Sequence, residues 1–276
     1  MRSTLSLVGG RVASGLWGSR LRSALALTGA FFLLLVTPPC EATGVGTEGR
    51  TFGQTGIFNS PEASRRLSRE KLQAVSEGLE RVTGWAGIHF ERDTVLCLRD
   101  VRESGSGSPT ARALLLKAMQ TVTIFLEDYS RSFSVAFAAI QRRAVSHPDS
   151  GRSIPIFSLR LDFEDFRYLT GHPEALEAFD MGFVLLHELG HAVEGRSDPS
   201  DRRGTVEPGE CEALVNEVRR ELGLPLRAHY RSEHVFPSLL SDFSFGRIRF
   251  ERMVEHQGKP RLETYFVQWP TKFVIR

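Results

Sequence analysis

Apolar residues recur every third or fourth position in some stretches of this chain and every second position in others. Leu72, Val75, Leu79 and Val82 keep helical spacing, and Ser60-Pro61-Glu62 ahead of them is a helix-start signal. The pattern predicts a helix, with interruptions, from there to Val82. Short apolar runs at 87–91 and 94–98 predict strands. After the loop Ser104-Gly105-Ser106-Gly107-Ser108-Pro109, the positions Leu114, Leu115, Met119, Val122, Ile124 and Phe125 predict one helix over 110–127. Residues 132–140 read as a strand, 147–151 as a polar turn, and 156–163 as a strand exposed on one side. Pro173 starts a long helix that ends near Gly195. Its later part, Met181 to Val193, is apolar nearly all round, which is the composition of a buried helix. A polar loop over 196–209 leads to a second helix at 210–222, stopped by Gly223 and Pro225. Two alternating runs, 247–255 and 261–268, flank Gln257-Gly258-Lys259-Pro260 and predict a C-terminal hairpin. The result is one α+β domain over 60–276, preceded by a Gly- and Thr-rich linker at 43–59.

Charge changes the picture at the start of the chain. The formal net charge is +2, yet no acidic residue precedes Glu41, while Arg2, Arg11, Arg20 and Arg22 all lie before it. Setting those four aside leaves 31 basic against 33 acidic residues, so there is no electrostatic case for a nucleic-acid partner. Residues 24–36 are an apolar run of 13, too short to span a bilayer comfortably, and Thr37-Pro38-Pro39 breaks it. Residues 1–42 therefore read as a secretory signal, with an uncleaved anchor or a transit peptide as alternatives. Any membrane contact would come through this segment alone. Of three cysteines, Cys40 falls in the signal; Cys97 and Cys211 could pair, though Cys97 reads as a small core residue.

Candidate chemistry sits on the apolar helix. Residues 187–191 are His187-Glu188-Leu189-Gly190-His191. At about 100° per residue the two histidines lie on one face, with Glu188 on its flank. Two imidazoles beside a carboxylate can hold a Zn²⁺ ion and a base next to its water. Two histidines leave a catalytic zinc site one protein ligand short. A third histidine six residues on would give the metzincin arrangement, but position 197 is Ser and Gly195 comes one residue late. Asp198 and Asp201 could reach from the loop. The second helix offers Glu210, Cys211 and Glu212, which lie 19, 20 and 21 residues beyond His191. An acidic helix start is also favoured by the helix dipole alone.

In these motifs the chain resembles the gluzincin metallopeptidases, whose zinc histidines share one helix and whose third ligand is a Glu about twenty residues on. The resemblance covers residues 180–230, and only the first motif is specific. It implies a zincin-like fold, one zinc ion, peptide or protein substrates, and Glu188 as general base. Glu212 is the preferred third ligand, because Asn216 one turn later repeats the family's Glu-x-x-x-Asp pair with Asn for Asp. Tyr230, just beyond that helix, is the candidate oxyanion donor. The run from Asn216 to Arg227, followed by Tyr230, also looks like the tail of short bacterial effector-like zinc metallopeptidases. The strand at 156–163 is the expected edge for an extended substrate. A zincin-fold protein of the cell envelope that binds without turnover is the alternative function.

Overall fold

The computed structural model describes residues 54–130, 136–146, 153–199, 208–236 and 244–271. The signal segment, most of the linker, Cys40 and Asp201 lie outside them. Folded structure begins inside the stretch expected to be linker: Gly56–Asn59 forms β1, buried throughout. It is followed by α1 (Arg69–Thr83), β2 (Trp85–Ala86), β3 (His89–Glu91), β4 (Val95–Cys97), β5 (Arg102–Glu103), α2 (Pro109–Thr121), β6 (Thr123–Asp128), β7 (Ala138–Ser146) and β8 (Ile154–Leu161). Next come α3 (Phe163–Arg167), β9 (Thr170–Gly171), α4 (Pro173–Glu177), α5 (Met181–Glu194), α6 (Gly209–Glu221), β10 (Leu226–Arg227), β11 (Glu233–Val235), β12 (Phe245–His256) and β13 (Lys259–Pro270). The architecture is α+β.

A six-stranded mixed sheet runs β3-β4-β1-β6-β8-β7. Its middle, β1-β6-β8, is parallel, and the flanking pairs are antiparallel. A second sheet is built on the β12–β13 hairpin, with β10, β11 and β9 along its sides. The hairpin expected from alternation is present and longer than its apolar pattern, Phe245 pairing with Pro270 and His256 with Lys259.

Three expectations shift, each for a physical reason. The helix predicted over 110–127 stops at Thr121, and Thr123–Asp128 becomes the central parallel strand β6. A parallel strand covered on both faces is a near-continuous apolar run, and the β-branched pair at Thr123 and Ile124 favours it over helix. The strand at β8 is interior, between β6 and β7, so β7 is the sheet's terminal strand on that side. The long helix also divides. Asp180 interrupts it, accepting hydrogen bonds from the amides of Gly182 (2.7 Å) and Phe183 (3.2 Å) as the N-cap of α5.

α5 lies inside the helical layer that covers the mixed sheet, against α1, α2 and α6. Leu185, Leu186 and Leu189 are buried there, as the all-round apolar composition requires. Its crossing with α1 is backbone on backbone. A Cβ on Gly78 would meet the Gly182 amide nitrogen at 2.8 Å, and one on Gly182 would collide with the Gly78 carbonyl. Both glycines thus set the depth at which α5 seats. Gly182→Ala should lower stability to urea by about 1–3 kcal/mol, although Ala is favoured by about 1 kcal/mol in an unconstrained helix. An unchanged or raised midpoint would show that the crossing can relax.

Candidate metal centre

α5 carries His187 and His191 one turn apart, with ring centroids 5.0 Å from each other. The chain then reverses. Gly195, at φ +65°, takes the left-handed conformation that a glycine adopts without strain, and the amide of Arg196 donates back to the Gly190 carbonyl. This turn aims the Arg196 carbonyl at His191 Nδ1, 2.8 Å away. A carbonyl can only accept, so Nδ1 carries a proton and Nε2 is the nitrogen that can serve as a ligand. The same turn carries Asp198 over the helix. Its carboxylate lies 3.2 Å from His187 Nε2 and 3.4 Å from His191 Nε2.

His187, His191, Asp198 and Cys211 each bring one ligand atom within 4.8 Å of the others, a grouping that could hold a metal ion. Geometry divides the four. Asp198 faces both Nε2 atoms, whereas Cys211 Sγ sits 3.4 Å from the opposite nitrogen of His191, beside the Arg196 carbonyl. An ion on the two Nε2 atoms therefore has Asp198 as its third donor and leaves the thiol outside. Cys211 and Cys97 are both free and buried, so the pairing considered between them is not made. Asp198 Oδ1 is buried and has no hydrogen-bond donor among the described residues, its contact with His187 being poorly aligned. A carboxylate with one oxygen lacking a hydrogen bond, facing the Nε2 atoms of two imidazoles, is an arrangement that a cation can complete once those nitrogens give up their protons.

Glu212, expected as the third ligand, lies on the other side of His187. Its Oε2 is 3.5 Å from Nδ1, the nitrogen away from Asp198. The carboxylate is 1% exposed and is held by two guanidiniums, Arg219 in direct contact and Arg227 at 2.8 Å. Both its oxygens are engaged, so it orients His187 in place of binding an ion. The other two candidates from the same turn are supports as well. Glu210 accepts from the amide (2.9 Å) and hydroxyl (3.0 Å) of Ser197, which pins the residue before Asp198. Cys211 packs on Gly190, where an added Cβ would stand 3.3 Å from its sulfur. A side chain at position 190 would press on α6 at Cys211 and Leu214.

Glu188, on the same helix, reaches the sheet. It is buried, and its Oε2 accepts from the amide of Ile140 on β7 at 2.8 Å. Burial in a low-dielectric setting pushes its carboxyl up, against the pull of the two histidines. Tyr230 stacks on His187, with 6.0 Å between centroids and 25° between planes, and its hydroxyl donates to Asp198 Oδ2 at 2.6 Å. Burial and that carboxylate hold the phenol above its usual range, so it keeps its proton.

Without an ion the site concentrates positive charge on protons. Burial works against a charged His187, yet the Asp198 and Glu212 carboxylates hold its imidazole up at about 9. Asp198 and then the Cys211 contact push His191 up to about 11. Asp198 itself is buried enough to resist ionisation, but His187, His191 and Tyr230 outweigh that and keep it well below the carboxylate range. A cleft of about 520 Å³ opens beside these residues, and His187, Glu188, Asp198 and Tyr230 line it. Comparison with protein-family models, curated proteins and solved structures finds no match to the chain.

The site makes one energetic prediction. Glu212→Gln leaves Arg219, itself 1% exposed, with its charge partly unpaired. Removing one partner of a buried pair costs roughly 3–5 kcal/mol. Urea denaturation of the metal-free protein should show a loss of that size, whereas Glu210→Gln, on an exposed carboxylate, should cost under about 1 kcal/mol.

Proposed function

We propose that the chain is a zinc-dependent metallopeptidase of zincin-like build, with His187, His191 and Asp198 holding the ion and Glu188 as general base. One observation carries this reading: two histidine Nε2 atoms and an orphaned aspartate oxygen converge beside a buried glutamate at the wall of an open cleft. Two nitrogens and one carboxylate oxygen suit zinc with an open fourth position. The third donor follows the active helix directly, in the turn, so the gluzincin ligand set is replaced by one with Asp seven residues beyond His191. The acid-free, basic start of the chain and its apolar run at 24–36 favour an exported enzyme.

When bound, the ion supplies a Lewis acid that polarises the scissile carbonyl and acidifies water. The residues do the rest. Glu188 takes the proton of the attacking water as the water oxygen bonds to the carbonyl carbon. It then delivers that proton to the amine as the C–N bond breaks. The Ile140 amide engages Oε2, which leaves Oε1 as the oxygen that can take up the proton. Tyr230 keeps its proton and donates, first to Asp198 and then to the oxyanion that forms beside it. β7 pairs only with β8 among the described residues, so its outer edge can take an extended peptide as a further strand.

Glu188→Gln should keep one zinc per chain by native mass spectrometry and lower kcat/KM on peptides by at least ~100-fold. Cleavage at the native rate would remove Glu188 from the mechanism. Asp198→Ala should lose the zinc while Glu210→Ala keeps it; the reverse result would reinstate the second helix as ligand donor. Stoichiometric zinc with no cleavage by the native chain would make it a binding protein.

A further inference from the structure

The segment that carries Tyr230 presents one more group to the cleft. Residues 228–232 link β10 to β11, and both of those strands pair with β12. The backbone between them is pinned. The Ala228 amide donates to the Arg249 carbonyl at 3.0 Å. The Arg227 guanidinium donates to the carbonyls of His229, at 3.1 Å, and Tyr230. His229 Nδ1 donates to the Arg231 carbonyl at 3.0 Å. The Tyr230 side chain is taken by His187 and Asp198. Arg231 is the exception. Its side chain is exposed, lines the same cleft as His187 and Glu188, and makes no ion pair or hydrogen bond with another described residue. A cation on a backbone already held has only its own rotamers left to order when a ligand arrives.

The charges along the cleft point the same way. Arg219, Arg227 and Arg231 line it together with Glu188, Asp198 and Glu212. Two charges of a bound zinc ion are met by Asp198 and by Glu188, counted as ionised, which is the least positive case. Glu212 is left to serve Arg219 and Arg227 at once, so one of those charges and that of Arg231 stay unmatched. Low-dielectric walls focus such an excess into a cleft and draw anions to it. Arg219 is enclosed, and Arg227 is committed to Glu212 and two carbonyls. Of the three, Arg231 is open to contact. Its planar fork of parallel N–H donors matches one carboxylate.

Resting on the metallopeptidase reading, we propose that Arg231 is a specificity-determining residue that binds a substrate carboxylate close to the scissile bond, so that the enzyme selects acidic peptides. Arg231 directly follows the tyrosine stacked on His187, and consecutive Cα atoms stand about 3.8 Å apart. A group it holds therefore lies within about two residues of a carbonyl placed at the ligand point. The carboxylate is either an Asp or Glu side chain or the C-terminus of the peptide. A lysine in the same place meets the excess as repulsion.

Two measurements separate this subsite from the catalytic reading. The first uses zinc-loaded native protein with a peptide library, cut sites being read by mass spectrometry. Among amide-blocked peptides, Glu or Asp at one position near the cut should exceed Gln or Asn by roughly ten- to a hundredfold in kcat/KM. If the C-terminus is the group recognised, free-acid peptides should exceed their amides by that factor instead. Arg231→Ala should remove the factor mainly through KM, Arg231→Lys should keep part of it, and Arg231→Glu should turn it into a preference for Lys. Added salt should shrink the native preference, because the pair is exposed. The second titrates Glu188→Gln by calorimetry with acetyl-Ala-Ala-Glu-Ala-Ala-amide, its Gln counterpart, and acetyl-pentaalanine as the free acid. One of the two acidic probes should bind at least roughly tenfold more tightly than the Gln peptide, and should lose that lead in the Arg231→Ala double variant. Arg231-dependent binding without any peptide cleavage by the native chain would leave the subsite standing and remove the peptidase. Cleavage with no acidic preference, or with one that survives Arg231→Ala, would overturn the subsite. Where cleavage is absent, equal binding of acidic and neutral probes would do the same.

Discussion

A buried carboxylate needs a partner, and meeting that need at Glu212 ties the molecule together. Arg219 comes from two turns further along α6 and reaches Glu212 with its own side chain almost fully enclosed. It lies between the rings of Phe183 on α5 and Phe250 on β12, 5.0 and 5.3 Å from their centres, and donates to the Ala178 carbonyl at the end of α4. Arg227 arrives from β10, bonds Glu212, and holds the carbonyls of His229 and Tyr230. Asn216 locks the amide and carbonyl of Arg227 in turn. The helical layer, the hairpin sheet and the Tyr230 segment therefore meet at one charge. Such a cluster is a poor way to gain stability, since apolar residues of similar size often do as well. Its return is the fixed position of His187, whose Nδ1 it contacts.

The first turn of α6 is best understood as a platform under α5. Three consecutive residues, Glu210, Cys211 and Glu212, support Ser197, His191 and His187 respectively. Because successive positions on a helix point about 100° apart, one turn can serve three targets only if they surround it. The reversal at Gly195 makes that possible by folding the Arg196–Asp198 strip back beside α5. The donors at the ligand point are held from behind, and the orphaned oxygen of Asp198 is left toward the cleft.

Most of this was legible where the sequence signal is periodic or local. The buried character of α5, the facing histidines, the α6 boundaries and the hairpin all follow from spacing and from turn residues. Two things were not. Spacing rules for the third ligand assume a turn of fixed length; here α5 runs on to Glu194 and its left-handed cap falls at Gly195, one residue late. Asp198 is brought into position by that extra residue, and only the path of the loop reveals it. Glu212 was singled out as the third ligand, whereas it stands at Nδ1 of His187, the nitrogen away from Asp198. A sequence shows that a carboxylate and a histidine can meet; it does not show which edge of the ring they share. The signals that would have helped were Arg219 and Arg227, a pair of cations too many for a carboxylate meant to bind an ion.

The edge strand joins binding to chemistry more tightly than either motif implies. The Ile140 amide is a backbone donor of β7, the strand whose free side an extended peptide would pair with, and it is already committed to Glu188. Burial raises the proton affinity of this carboxylate, while the two imidazoles and the backbone donor lower it. Displacing β7 would move that donor and with it the orientation and proton affinity of Glu188. The strained residue Phe137 stands directly before Ala138, where β7 begins, and fixes the strand's starting direction through Asp165 and Asp162. Only Ala138 and Ala139 separate the left-handed turn at Phe137 from Ile140, whose amide bonds Glu188. The backbone strain at Phe137 thus bears directly on the donor that orients Glu188.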